Sequence, residues 1–126
     1  MYVDGFVMVV QKNKVKAYEK MASEAGKSWK KHGALQYFEC VGDDLNPKGP
    51  AEMKTLTFPQ VMKLKKNETA FFSFIVFKSK SHRDSVNKKV MKEMSEYYND
   101  PKHKKTEMPF DMKKVAYGGF KALVKL

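Results

Sequence analysis

The order of strand-like and helix-like segments predicts an α+β fold. It is a ferredoxin-like βαββαβ antiparallel sheet with two helices on one face, pairing into a dimeric α+β barrel. Three observations carry this expectation. Two segments repeat apolar residues at helical spacing and four read as strands, in the order β-α-β-β-α-β. The strands are apolar on both sides, whereas a sheet with one wet face alternates apolar and polar residues. The chain of 126 residues, 42% hydrophobic, suffices for a single domain spanning 1–126 and supplies no further element to cover the second face.

The first strand is YVDGFVMVV, Tyr2 to Val10, by its β-branched and aromatic content. A helix follows from about Lys14 to His32, with Val15, Tyr18, Ala22, Ala25 and Trp29 forming one apolar stripe. Asn13 is its expected N-cap and Gly33 its C′ residue in the left-handed region. LQYFECV, Leu35 to Val41, is the second strand. The stretch from Gly42 to Thr69 turns polar and is read as loop; within it Thr57, Pro59 and Gln60 have the pattern of a cap, first helical residue and capping-box partner. A single turn there would tuck Phe58 and Val61 or Met62 inward.

AFFSFIVF, Ala70 to Phe77, is the third strand. The second long helix is expected from about His82 to Tyr98, opened by a capping box of Ser81 and Asp84, with Val86, Val90 and Met94 as its buried stripe. Asn99 to Glu107 is a lysine-rich loop, and Val115 to about Val124 the fourth strand. In the usual strand order of this fold the first strand lies between the third and the fourth.

Both faces of the strands carry large apolar residues: Val3, Val7 and Val9 against Tyr2, Phe6 and Met8, and Phe72, Phe74 and Val76 against Phe71, Ile75 and Phe77. Burying a large apolar side chain is worth roughly 1.5–3 kcal/mol, so an uncovered aromatic face marks an interface. A second copy, related by a two-fold axis, is the expected cover. The other arrangement is a monomer roofed by its own 42–69 segment.

The net charge of +11 invites nucleic acid or an anionic membrane as partner. Arg83 is the sole arginine, however, although arginine is preferred for bidentate phosphate and base contacts, so the lysines read as a solvated surface. The RNA recognition motif shares the element order, but its third strand needs a basic-glycine-aromatic signature that AFFSFIVF lacks. Nucleic-acid binding is therefore the alternative, beside a non-enzymatic stress or interaction protein. No apolar run reaches the ~20 residues of a membrane span. Tyr2 and Asp4 at the amino end argue against a leader peptide. A single cysteine, Cys40, excludes an internal disulfide and suits the cytoplasm; its expected role is that of a small buried hydrophobe. His32, His82 and His103 lack ligand spacing, and no phosphate loop or dinucleotide fingerprint occurs, so neither a metal nor a cofactor is expected.

Candidate site residues follow from charge in apolar surroundings. Asp4 lies on the side of Tyr2, Phe6 and Met8, assigned to the barrel interior because the smaller Val3, Val7 and Val9 suit helix packing. A carboxylate there must be paired, hydrogen-bonded or shifted in pKa. Glu39 holds a similar place on the second strand, and two acids facing one apolar cavity suit general acid–base work. Arg83 and Asn87 lie four apart near a helix N-terminus, so Arg83 suits a ligand carboxylate or a pairing with Asp4, Asp43 or Asp111. In the MPFD segment Phe110 plugs the core and Asp111 caps nearby backbone. Tyr117 faces the cavity, while Gly118 and Gly119 make room for a neighbouring strand, aromatic ring or cavity near Gly5. These residues suit a small organic ligand, with cofactor-free oxygenase or isomerase chemistry as one use of the cavity.

The segments YVDGFV, GALQYFECVGDD, FSFIVFKSKSHRDSVNKKVM and MPFDMKKVAYGGF resemble, in order and spacing, the YbaA-like bacterial family known as domain of unknown function 1428. The resemblance covers nearly the whole chain and implies a dimeric α+β barrel with no established reaction. Two departures stand out: Tyr2 follows the initiator directly, and the stretch from Met94 to Glu107 is unusually rich in lysine.

Overall fold

The computed structural model describes residues 1–49, 54–103 and 108–126, and the parts of the expected loops at 50–53 and 104–107 lie outside them. The elements are β1 (Tyr2–Gln11), α1 (Val15–Lys31), β2 (Gln36–Val41), α2 (Phe58–Met62), β3 (Glu68–Phe77), α3 (Lys80–Asn99) and β4 (Phe110–Lys121). The sheet order is β2-β3-β1-β4, with every neighbouring pair antiparallel. This is the expected ferredoxin-like sheet, with β1 between β3 and β4.

Local chemistry explains most boundaries. Gly33, at φ 118°, ends α1: its N–H donates to Lys30 O and that of Ala34 to Trp29 O, a Schellman closure. Asn13 is not the cap. Residues Lys12–Lys14 form a 3-10 turn that runs straight into α1, and no side chain caps the junction. The short α2 has the expected capping box, with Thr57 Oγ1 accepting from Gln60 N and Gln60 Oε1 accepting from Thr57 N. Pro59 is its second residue, and Phe58 and Val61 remain 47% and 57% exposed, so this turn does not tuck them in. The cap of α3 is Ser79, whose hydroxyl accepts from His82 N, rather than Ser81 with Asp84. β4 starts five residues earlier than expected because Phe110 pairs with Val10 beyond an irregularity at Met8/Val10. It ends at Lys121, leaving Ala122, Leu123 and Val124 outside the sheet.

Two groups of buried side chains fill the space between helices and sheet. Met8, Val10, Ala22 and Phe71 gather around Tyr18, while Ala34, Ile75, Phe77, Val86 and Val90 gather beneath α3. Phe6 packs against both.

The register corrects the assignment of faces. Tyr2, Asp4, Phe6 and Met8 lie on the helix side, and Val3, Val7 and Val9 point outward with their cross-strand partners Val76, Phe72 and Ala70. Side-chain size misled here. The wedge between sheet and helices takes the larger rings, and Asp4 pairs there with Arg83 of α3. The outward face is apolar, with Phe38, Phe72 and Phe120 exposed by 45%, 49% and 62%. Cys40 is also exposed on this face, not a buried hydrophobe, because β2 is an edge strand and the residue alternates outward. Leu45 and Phe58 reach one end of the face, where they line a groove with Val7, Cys40 and Phe72. The described residues of the 42–69 segment do not roof the exposed rings.

Candidate functional site

β1 and β4 bring Tyr2, Asp4 and Tyr117 to one end of the helix side of the sheet, and the first turns of α3 lay Arg83 and Asn87 over them. Five of the seven candidate residues therefore converge. Asp4 is 1% exposed. Its Oδ1 accepts from Arg83 Nη1 at 3.0 Å, and its Oδ2 accepts from Tyr117 Oη at 3.3 Å and Asn87 Nδ2 at 3.4 Å. Arg83 Nη1 also donates to Tyr117 Oη at 2.8 Å and Nη2 to Tyr2 Oη at 3.2 Å, while the guanidinium lies over the Tyr2 ring, 4.9 Å from its centroid. Asn87 is held in turn, since its Oδ1 accepts from Trp29 Nε1 at 3.0 Å. Arg83 Nε is 2.8 Å from Asp84 Oδ1 but not along a hydrogen-bond direction.

Burial pushes the Asp4 carboxyl above its ordinary range, against the Arg83 charge and the Asn87 and Tyr117 donors, which favour the ionised form. Burial is the largest single influence on the Arg83 guanidinium and would depress it, but Asp4, Tyr117, Tyr2 and Asp84 together outweigh it and hold the group above its usual value. Burial and then Asp4 raise the Tyr117 hydroxyl. Tyr117 is 53% exposed, so it alone of Asp4's partners presents a large free surface beside the buried acid.

The glycines of the last strand serve this arrangement. A methyl at Gly119 would overlap the Tyr2 hydroxyl and sit 2.8 Å from its ring carbons. Gly5 and Gly118 stand opposite each other across β1 and β4, with the Phe120 ring against the outer side of both. The glycines thus accommodate aromatic rings, one of which belongs to the site.

Glu39 does not join Asp4. It lies on the same face of the sheet but has its own set of donors: Tyr18 Oη at 2.7 Å to Oε2, Tyr37 Oη at 2.7 Å to Oε1, and the Ser73 hydroxyl to Oε2. Burial and then Glu39 push both tyrosine hydroxyls upward, which keeps them donors at neutral pH. Gly26 on α1 admits the Tyr37 ring, whose carbons would be 2.7 Å from a methyl placed there. Asp111 also lies apart: exposed, it accepts from the backbone N–H of Lys113 at 3.0 Å and does not contact Arg83. Asp43 likewise does not pair with Arg83.

Sequence reasoning missed Tyr18, Tyr37 and Ser73 as partners of Glu39. Two signals were present. Ser73 is the lone polar residue of AFFSFIVF, and Tyr37 and Glu39 are two apart on a strand, hence on one face. Among the described residues no group of three His, Cys, Asp or Glu side chains is placed to hold a metal ion.

The chain matches the family described as protein of unknown function (DUF1428) over residues 1–112. It is 39% identical over 125 residues to the uncharacterized protein YbaA of Escherichia coli (strain K12), which covers 98% of this chain and 97% of that protein. The uncharacterized protein YbaA of Shigella flexneri matches with the same 39% identity and the same 98% and 97% coverage.

Proposed function

The chain belongs to the DUF1428 family of proteins of unknown function, and from that membership we propose a homodimeric α+β barrel that binds a small organic molecule beside Asp4, Arg83 and Tyr117. The observation that carries this reading is a carboxylate 1% exposed, raised in pKa by burial, and hydrogen-bonded to a tyrosine that is 53% exposed. Perturbed acids beside an accessible polar group are candidates for proton transfer. A ligand proton accepted at the Tyr117 oxygen, as the hydroxyl hydrogen moves to Asp4 Oδ2, leaves Asp4 neutral. Arg83 then keeps a full positive charge to balance the ligand anion. No cofactor is needed for that step, which suits an enolisable carbonyl compound or a carboxylic acid.

The dimer rests on the outward face of the sheet, where the half-exposed rings of Phe38, Phe72 and Phe120 form an apolar surface. Light scattering should give twice the chain mass of 14.6 kDa, and Phe72→Asp should return it to the monomer value. For the ligand, thermal-shift screening against carboxylic acids and enolisable ketones should give a saturable rise for one class that Tyr117→Phe abolishes. A flat response across both classes would refute the site. No helix among the described residues is long and apolar enough to cross a membrane.

A further inference from the structure

A second acidic cluster lies toward the opposite edge of the helix side, where Glu39 and Tyr37 of β2 stand level with Tyr117 and Asp4 across the sheet. Between α1 and β2 a cleft of about 410 Å³ opens to solvent, with Glu39 and Tyr37 on its floor. Its walls are Val15, Ala22, Val41 and Phe71.

Three features give the cleft a chemical preference. The first is sign. In a chain of net charge +11, the charged residues that line this cleft are Glu39 and Glu19, with no lysine or arginine among the described lining residues. The second is acceptor capacity. A carboxylate offers about four lone-pair positions, two on each oxygen. Tyr18 and Ser73 occupy those of Oε2, whereas among the described residues Oε1 accepts only from Tyr37, which leaves one position on the oxygen nearer the cleft-lining tyrosine. The third is shape. Tyr18 is 2% exposed and fixes the carboxylate from behind, so an incoming group meets a held acceptor instead of a mobile side chain.

We propose that this cleft is a binding site for a small organic amine, its ammonium donating to Glu39 Oε1 and its apolar body lying against Val15, Val41 and Phe71. The ammonium supplies the cation that the hydroxyl cage lacks, and the apolar walls favour an aromatic or branched aliphatic substituent. Glu19 adds a second negative charge on the same wall and raises selectivity for cations.

The site shares no residue with the Asp4 cluster, so its failure would leave that reading standing. Benzylamine, benzyl alcohol and benzoate are matched probes, to be titrated calorimetrically into the full chain at pH 7 and low salt. Benzylamine should bind at least tenfold more tightly than the alcohol, and benzoate should not bind. Glu39→Gln should weaken benzylamine at least tenfold, while Asp4→Asn should leave it unchanged. Should Glu39→Gln fail to fold, Glu19→Lys leaves the hydroxyl cage intact and should weaken benzylamine several-fold. Equal affinity for benzylamine and benzyl alcohol would overturn the proposal, as would indifference of benzylamine binding to the cleft variant that folds.

Discussion

Asp4 and Glu39 are carboxylates on the same side of one sheet, and their neighbours compensate them in opposite ways. Asp4 is met by a cation: Arg83 pairs with it, and Asn87 and Tyr117 complete the shell. Glu39 is met by dipoles, three hydroxyl groups from Tyr18, Tyr37 and Ser73. In the first cluster the Asp4 charge is offset by the Arg83 guanidinium beside it. Among the described residues the second has no cation paired with its carboxylate, and it borders an open cleft. A buried pair is held by the threat of leaving one ion alone, while a caged single ion stays free to attract an ion of opposite sign.

The largest effect should come from breaking the pair. Arg83→Ala strands a buried carboxylate and should cost about 3 kcal/mol in denaturant unfolding, since removing one partner of a buried pair is strongly destabilising. The deficit should shrink toward pH 4, where the stranded carboxyl escapes by taking a proton. A cost that stays the same across that range would show that Asp4 is not the group left unpaired.

Glu39→Gln should cost less, about 2 kcal/mol, because the amide keeps one acceptor oxygen but turns an NH2 group toward hydroxyl donors. Tyr18→Phe in that background should add little, since the partner it loses is already impaired. Additive losses would argue against a shared cage.

The glycines allow a paired test with smaller effects. Gly119→Ala presses on Tyr2 in the first cluster and Gly26→Ala on Tyr37 in the second, and each should cost about 1–2 kcal/mol by overpacking. Only Gly26→Ala should alter benzylamine binding.

The pH dependence gives the smallest and finest distinction. The folded-state pKa of Asp4 is raised, so its contribution is fully present below the ordinary 3.8 and is lost as pH rises through the elevated value. The wild type should therefore lose ground to Asp4→Asn as pH climbs through that interval. Glu93 behaves oppositely. It accepts from Ser28, Lys31 and His32 across α1 and α3, and these partners, His32 foremost, lower it from 4.5 to about 2. Its contribution is present above pH 4.5 and is lost on acidification through about 2. Glu93→Gln should flatten that acid limb in equilibrium unfolding monitored by circular dichroism.

Much of the architecture was legible because periodicity and capping are local. The stripes of Tyr18 and Ala22 and of Val86 and Val90, the Gly33 terminator and the Thr57 capping box were all readable within a few residues. The candidacy of Tyr2, Asp4, Arg83, Asn87 and Tyr117 was legible for a different reason, although their meeting was not. Asp4 is charged where its strand neighbours are apolar, Arg83 is the sole arginine of the chain, and Asn87 lies four residues beyond it on the same helix. The side of the sheet was not legible, because alternation divides a strand into two sets without saying which set a helix covers. Only the long-range meeting of Asp4 with Arg83, separated by 79 residues, decides it. The cage around Glu39 was hidden similarly, since Tyr18 passes for an ordinary core residue until its hydroxyl has a partner.

The facing glycines of β1 and β4 carry a further consequence. The Phe120 ring rests on bare backbone, yet the two positions beneath it are unequal: a methyl at Gly5 would come within 3.3 Å of the ring, and one at Gly118 within 3.6 Å. An extra carbon is therefore ordinary packing on one strand and a nudge on the other. Among relatives, alanine should be found at the position equivalent to Gly118 more readily than at that of Gly5, and a smaller residue in place of the phenylalanine should lift the restriction on both.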